Sequence, residues 1–471
     1  MENDEIFSES MKISWLDEEE INKTGDIKIS KNGISKLKIH GILPREKKPT
    51  AMDWLSQSEG ISKKDIFGRS AEKFIYFLDP SPSGFNIFDG NEEHSSESFS
   101  CYTTLISKNK VNIKDNCVSS MRWCLDGYEN WLSLFIIKMK WKEKIKPEIE
   151  IKDPENLTWD THLGNLHIDT EYEGSGGWGR PYINIKCINY IKIDFNQAKS
   201  IDECKNISIK MERFLSTIVS NYKLLSYPEL YDLENSKINI FYYRQDINEE
   251  EIKPMGAVTN FGLLKEKFGH IFDLYMENYD TYMSGYYLYV TSSFPGIFTE
   301  HQFINYIWGL EALQNHAFPS EAKNPALTEK ISRITDILNE ILPKSEMKKR
   351  DRCWLIQSIS GRDGRNLKEK ILSMILKIPY EFDKDNLNKF LGDVVELRNT
   401  ISHYGGKRTP DSPEYIQGMF EKTYAIKMLY LCSILFTIGC DKEIISYALL
   451  NSHRLTSERY FLEKYGIIKT N

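Results

Sequence analysis

The period of the hydrophobic pattern changes along the chain, and this change limits the folds open to it. Up to about residue 195, runs such as SKLKIHGIL, KFIYFLD and YINIKCINYIKIDF alternate apolar and polar residues, with Gly, Asn, Asp and Pro between them. Such alternation is typical of β-strands. From Phe294 onward, apolar residues recur at α-helical spacing instead. The sequence therefore predicts an α+β multidomain protein, in which an N-terminal antiparallel sandwich or barrel-like region precedes an all-α helical bundle.

The length of 471 residues also favours more than one domain. We place a β-rich domain at 1–200, a mixed helix and strand connecting region at 201–293, and a helical domain at 294–471. Within the last of these, helices are predicted at 299–316, 326–342, 347–359, 365–377, 386–404, 412–439 and 441–450. Thr299 is the predicted N-cap of the first helix.

Charge and composition exclude several classes of protein. The chain is 41% hydrophobic and 27% charged, which is typical of globular proteins. Net charge is −7, but the stretch from Phe294 to Asn471 has 25 Lys and Arg against 22 Asp and Glu. If the protein binds a polyanion, the second half is therefore the expected place. The polar, acidic first residues do not form a signal peptide, and the longest apolar run is too short to span a bilayer. We expect a cytoplasmic protein without a membrane partner.

Metal and phosphate sites are not favoured by the sequence. The eight cysteines form no C-x-x-C pair and have no metal-ligand spacing, so no metal or cofactor is predicted. His162 and His167 would point to opposite faces of a strand, which disfavours a shared metal ion. The glycine-rich segment EYEGSGGWGRP (171–181) precedes a predicted strand rather than a helix, so we interpret it as a hairpin turn and not as a phosphate-binding loop.

One short segment carries candidate catalytic chemistry. In ELRNTISHYGG (396–406), Arg398, Asn399 and His403 precede two glycines, which are typical of the end of a helix. On that helix Asn399 and His403 lie on one face, and Arg398 lies about 100° round from Asn399. A histidine, with a pKa near 6.5, is suited to remove the proton of an RNA 2′-hydroxyl, and an arginine is suited to stabilise the charge on phosphorus. Such a site needs no metal.

A plain structural interpretation stands beside the catalytic one. A histidine near a helix C-terminus often only stabilises the helix dipole. Arg398 has carboxylates within reach, Asp393 and Glu396, and an ion pair with either would be an ordinary surface contact. The segment alone does not decide between these interpretations.

The segment resembles the R-x4–6-H signature of HEPN domains, in its RN-x3-H form. FTEHQFINYIWGLEALQNH and LTEKISRITDIL are similar to the first two helices of the ApeA-type HEPN group. GDIKISKNGISKLKIHGIL, DIFGRSAEKFIYFLD and SMRWCLDGYENWL resemble parts of the ApeA N-terminal domain. The resemblance implies an antiphage toxin that causes abortive infection by cleaving RNA. It implies a homodimer with a composite site, and an N-terminal domain that senses a phage-derived trigger or restrains the nuclease.

Further residues are predicted around this site. Glu311 either lies near it or faces solvent as an ordinary helix glutamate. Candidate RNA contacts are Tyr404, Lys407, Arg408, Arg362 and Arg365, with Lys368 nearby. The alternative function is a non-catalytic HEPN module for dimerisation or RNA binding, joined to a β-rich domain that recognises a phage component. A nucleotidyl-transfer role would need an acidic metal-binding motif, and the sequence offers no persuasive one.

Overall fold

A computed structural model gives the fold of the protein. It describes residues 5–17, 23–44, 65–88, 91–113, 115–134, 137–143, 146–151, 157–175, 184–219, 225–244, 256–294, 296–319, 324–341, 347–360, 364–402 and 412–469. The chain divides into two compact units. The N-terminal unit comprises Met1–Glu129, Leu134–Glu212 and Lys223–Glu249, and the helical unit comprises Asn130–Ser133, Arg213–Tyr222 and Glu250–Asn471.

The N-terminal unit is built on a large antiparallel sheet, which confirms the predicted class. Its strands are β1 (Glu5–Trp15), β2 (Lys23–Ser30), β3 (Ser35–His40), β4 (Ile66–Arg69), β5 (Phe74–Leu78), β6 (Ser81–Phe88), β7 (Asn91–Cys101), β8 (Thr103–Ser107), β9 (Val118–Cys124), β10 (Ile137–Glu143), β11 (Lys146–Ile151), β12 (Leu157–Asp160), β13 (Gly164–Ser175), β14 (Asn184–Lys199), β15 (Glu229–Asp232) and β16 (Lys237–Tyr242). Fourteen of these described strands are hydrogen-bonded in the order β12-β13-β14-β9-β15-β16-β8-β5-β4-β1-β2-β3-β7-β6, and β10 pairs with β11 separately. The pairings between these strands are antiparallel.

Strand β3 shows how the alternating sequence forms this sheet. Leu37 and Ile39 are buried, whereas Lys36, Lys38 and His40 are exposed. The inward side chains join one apolar cluster with residues of β1, β2, β4, β5, β7 and β8. Burial of this face drives the strands together, and it leaves a row of polar side chains on the other face.

Helix α2 (Ile201–Val219) packs against the sheet through Trp123 of β9. The indole Nε1 of Trp123 donates a 2.8 Å hydrogen bond to Ser208 Oγ, and Tyr242 donates one of 2.7 Å to the same oxygen. The short helix α1 (Glu129–Leu132) follows β9. β13 and β14 pair along their length, so the predicted hairpin around the glycine-rich segment is confirmed, although residues 176–183 lie outside the described residues.

The helical unit contains the predicted bundle. Its helices are α3 (Phe261–Leu264), α4 (Phe268–Ser292), α5 (Thr299–Ala317), α6 (Pro325–Ile341), α7 (Lys349–Ser360), α8 (Leu367–Ile375), α9 (Lys384–Ser402), α10 (Pro413–Thr437), α11 (Lys442–Ser446) and α12 (Thr456–Lys464). The predicted N-cap of α5 is wrong by one residue, because Phe298 occupies that position without a side-chain cap and Thr299 is already helical. Among the described residues, no helix is long and apolar enough to cross a membrane.

Helices α4, α5 and α10 form the centre of the bundle, where two glycines allow close approach. Gly309 of α5 faces the ring of Tyr430 on α10, and Gly285 of α4 faces Leu313 on α5. The buried Tyr430 hydroxyl donates a hydrogen bond to the Gly285 carbonyl. Since Tyr430 is fully buried against both glycines, this contact fixes the three helices on which α8 and α9 then pack.

Candidate functional site

Helix α9 carries the arginine and asparagine of the predicted motif near its C-terminal end. Its buried residues include Leu387, Leu391 and Val394, which recur at helical spacing and face the core. Arg398 follows Leu391 by about two helical turns, so both side chains leave the helix on the same side. These buried residues, which form an apolar stripe along α9 and hold the helix on the bundle, therefore also orient Arg398, whose side chain is half-buried.

The Arg398 guanidinium has few partners. Its Nη1 donates a 3.1 Å hydrogen bond to Asn399 Oδ1. Its Nε is buried without a hydrogen-bond partner among the described residues. Neither Asp393 nor Glu396 forms an ion pair with it in that part of the chain, so the plain ion-pair interpretation is not what the structure describes. A buried guanidinium nitrogen without an acceptor is costly, and an anion that reached it would satisfy it.

Asn399 is exposed next to Arg398. By accepting from Nη1, its side-chain oxygen restricts the rotation of the guanidinium and leaves the other donors to face elsewhere. Thr400 does not compete for this contact, since its hydroxyl donates to the Glu396 carbonyl one turn earlier. The pair Arg398–Asn399 is thus a preformed unit at the surface of the bundle.

Several predicted site residues lie outside the described residues. They are His403, Tyr404, Lys407, Arg408 and Arg362. The description of α9 ends at Ser402, the residue before His403, and α10 begins after the N-cap Ser412, whose hydroxyl accepts from Tyr415 N. The roles of these five residues stay predictions.

Glu311 lies on α5, on the side that faces α8. Asn315, one turn later on the same face, accepts a 3.0 Å hydrogen bond from Lys370 Nζ of α8. Glu311 is half-buried and forms no hydrogen bond or ion pair with a described residue. α5 also packs against α9, the helix that carries Arg398, but the contact of Asn315 places this face of α5 beside α8.

Arg365 lies at the start of α8, toward the end of the bundle where α9 ends. Helices α8 and α9 pack against each other across the connection 376–383, and Lys368, near the start of α8, lies against Gly392 of α9. The N-terminus of α8 therefore points toward the C-terminal half of α9. Arg365 is half-buried and lines an open groove of about 400 Å³ together with Asn324 and Glu369.

The prediction missed a basic run at the start of α7. Lys348, Lys349 and Arg350 are exposed, and Trp354 one turn later is 66% exposed. Cations interleaved with an open aromatic ring are typical of surfaces that bind single-stranded nucleic acid. The signal is readable in the sequence as KKRDRCW, in which a run of cations precedes an aromatic residue at helical spacing.

His167 of β13 lies beside two carboxylates of the sheet, those of Asp169 and Asp194. Its Nε2 lies 3.3 Å from Asp169 Oδ1 and its Nδ1 lies 3.7 Å from Asp194 Oδ2. The hydrogen bond to Asp169 raises the pKa of His167 above its usual 6.5. Within the described residues, no cluster of three or more potential metal ligands is present.

Two family models match the chain. ApeA N-terminal domain 1 matches residues 12–273, which is more than half of the chain, and Apea-like HEPN matches residues 304–444. The second range contains α9 and the whole predicted motif. No curated protein and no solved structure matches the chain.

Proposed function

The chain belongs to the ApeA family, with an ApeA N-terminal domain followed by an ApeA-like HEPN domain, and from this premise we propose that it is a metal-independent endoribonuclease. The two domains together make it a HEPN-type antiphage defence protein. HEPN domains are usually nucleases that bind RNA and commonly dimerise. The proposal concerns the reaction, the residues that perform it and the assembly that completes the site.

The proposal rests on Arg398, whose guanidinium is held in place without a carboxylate partner among the described residues. It is held by the buried stripe of α9 and by Asn399, it has no carboxylate partner among the described residues, and its Nε has no acceptor there. A cation that serves only structure is normally paired when it is half-buried. A guanidinium held in place with free donors is suited to receive a phosphate in a bidentate manner.

In the proposed reaction His403 takes the proton of an RNA 2′-hydroxyl. The resulting oxygen attacks the adjacent phosphorus, the bond from phosphorus to the 5′-oxygen breaks, and a general acid returns a proton to that oxygen. Arg398 stabilises the added negative charge on the phosphoryl oxygens, while Asn399 keeps its guanidinium in position. The products carry a 2′,3′-cyclic phosphate and a 5′-hydroxyl.

We further propose that the active form is a homodimer, since one chain carries a single copy of the motif and HEPN nucleases combine two. Arg365, at the end of the bundle where α9 ends, and the exposed Lys349, Arg350 and Trp354 are the proposed contacts for the RNA chain outside the reaction centre. We propose that the N-terminal domain controls this activity and that cleavage aborts infection.

Purified full-length protein tests the assignment with RNA in a chelating buffer. We expect Arg398→Ala and His403→Ala each to lower cleavage by about a thousandfold, the scale on which a general base or an oxyanion-stabilising group acts. The matched control is His453→Ala, which removes an exposed histidine of the same unit and is expected to cleave as the wild type does.

Two results would overturn the proposal. One is cleavage by His403→Ala at the wild-type rate. The other is wild-type cleavage that appears only after Mg²⁺ is added. If neither the wild type nor His403→Ala cleaves RNA, but the two proteins bind RNA equally well, the chain is instead a non-catalytic HEPN module.

A further inference from the structure

The N-terminal unit has a groove that the proposed nuclease site does not use. It has a volume of about 910 Å³ and lies over β1, β2, β3 and β4. Its lining residues are Ser10, Met11, Lys12, Thr24, Gly25, Asp26, His40, Phe67, Arg69, Ser70 and Ala71. Pockets of this size are typical of small-molecule sites, in which a few polar groups fix the orientation of the ligand.

Cross-strand register places two cations side by side in this groove. Lys12 of β1 pairs directly with Arg69 of β4. On the other side of β1, Lys12 pairs with Thr24 of β2, which in turn pairs with His40 of β3. Side chains that are direct partners across an antiparallel pair have Cβ atoms about 5 Å apart, and like charges in such positions repel each other. The row Arg69–Lys12–Thr24–His40 therefore places two positive charges, those of Arg69 and Lys12, beside a hydroxyl and an imidazole.

This charge is not neutralised within the described residues. Neither Lys12 nor Arg69 forms an ion pair there, and the guanidinium carbon of Arg69 lies 5.5 Å from the centre of the Phe74 ring. A second cross-strand pair of cations, Lys28 and Lys36, shows the contrast. There, Glu5 neutralises Lys28 at 2.8 Å.

The adjacent cross-strand row, in which Ser10 of β1 pairs with Asp26 of β2, supplies a hydrogen-bond acceptor. Asp26 accepts hydrogen bonds from Ser10 Oγ at 2.5 Å and from His40 Nε2 at 3.0 Å. These two hydrogen bonds, with that of Ser10 the stronger, lower the pKa of Asp26, so this carboxylate stays charged. A ligand in the groove thus meets two unpaired cations at one end and a fixed acceptor at the other.

We propose that the groove binds a nucleoside phosphate. Its phosphate oxygens fit between Lys12 and Arg69, where a doubly charged anion removes the repulsion between the two cations. A sugar hydroxyl or a base amino group fits at Asp26, whose carboxylate has lone pairs left to accept a further hydrogen bond beside those from Ser10 and His40. An inorganic anion would leave most of the 910 Å³ unfilled and the acceptor unused. This places a nucleotide site in the ApeA N-terminal domain, distinct from the RNA-cleaving centre proposed for the other unit.

Calorimetric titration of the full-length protein tests the site with six probes. They are ATP, GTP, CTP, UTP, inorganic phosphate and adenosine. We expect at least one nucleotide to bind, and to bind more than about tenfold more tightly than phosphate or adenosine alone, because only the nucleotide reaches both ends of the groove. If phosphate binds as tightly as the nucleotides, or no nucleotide binds at about 1 mM, the proposal is wrong.

Matched variants locate the binding. Lys12→Gln and Arg69→Gln each remove a groove cation, and we expect each to weaken nucleotide binding by about tenfold or more. Lys36→Gln removes an exposed cation of the same sheet that does not line the groove, and it is expected to bind as the wild type does. Equal affinity of Lys12→Gln, Arg69→Gln and wild type would place the nucleotide elsewhere and refute the proposal.

Thermal unfolding separates a binding defect from a folding defect. Without ligand, the N-terminal unit of Lys12→Gln is expected to unfold at its wild-type temperature or slightly above it, because the substitution removes a repulsion. With nucleotide, the wild-type temperature rises by linkage and that of Lys12→Gln does not. A variant that unfolds well below the wild type without ligand would contradict the claim that the two cations repel each other.

Discussion

Substitution of Gly309 by alanine tests the contact that fixes the centre of the helical bundle. A methyl group at this position overlaps the Tyr430 side chain, with ring carbon Cε1 only 2.8 Å away. Tyr430 has no room to yield, because it is fully buried, donates to the Gly285 carbonyl and packs at right angles on the ring of Tyr289 at 5.3 Å.

The expected loss of unfolding free energy is the balance of one stabilising and two destabilising effects. Alanine is favoured over glycine within a helix by about 1 kcal/mol. Overpacking costs about 2 kcal/mol, and displacement of Tyr430 leaves a buried hydroxyl and a buried carbonyl unsatisfied at about 2 kcal/mol more. The net destabilisation for Gly309→Ala is therefore roughly 3 kcal/mol.

Gly392→Ala is the matched control. Gly392 lies within α9, and a methyl group there meets only Lys368 Cδ, at 3.9 Å. With helix propensity unopposed, this variant should be more stable than the wild type by about 1 kcal/mol. The two glycine substitutions are thus expected to shift stability in opposite directions.

Because the chain has two units, a single unfolding midpoint is not well defined. Hydrogen exchange measured by mass spectrometry across a urea series reports on α5, α9 and α10 separately. We expect the midpoint of these helices to fall in Gly309→Ala and to rise in Gly392→Ala. If both variants shift it in the same direction, the close approach of α5 and α10 is wrong.

Three further predictions concern His167, the Lys427–Glu458 ion pair and the thiol of Cys353. His167 has a raised pKa, mainly through its hydrogen bond to Asp169, so its contribution to stability is complete below about pH 6.5 and is lost as pH rises through the raised value. The urea midpoint of the N-terminal unit should fall over that window, and His167→Gln should flatten the fall. Lys427→Met leaves the buried Glu458 carboxylate without the cation 2.9 Å away, and should lower the stability of the helical unit by about 3 kcal/mol; adding Glu458→Gln should recover part of the loss. Cys353 is the exposed thiol among the eight cysteines, so a thiol reagent should label it first in the native protein, as peptide mapping would show.

Local sequence pattern predicted the elements of this fold well. Alternation along SKLKIH places Leu37 and Ile39 inside, and the four-three spacing of Leu387, Leu391 and Val394 fixes the buried face of α9. Both patterns depend on residues that are close in sequence, where the periods of strand and helix are decisive. The side of α9 from which Arg398 leaves could be read in the same way.

The order of the strands in the sheet could not be predicted from the sequence. The sheet joins β5 to β8 and β9 to both β14 and β15, and nothing in one sequence specifies such distant partners. For the same reason the opposition of Lys12 and Arg69 could not be foreseen, although each residue was visible in the sequence. The orientation of Glu311 could not be predicted either, since helical spacing alone did not show whether it faces solvent or the neighbouring helix α8.

The chemistry of the RNA ends tests the central claim most directly. Ends would be mapped in phage-infected cells that produce the wild type or His403→Ala. If Arg398 and His403 catalyse attack by the 2′-hydroxyl, new 2′,3′-cyclic phosphate ends and matching 5′-hydroxyl ends appear only with the wild type. The same new ends in both strains, or new ends that carry a 5′-phosphate, would contradict the account.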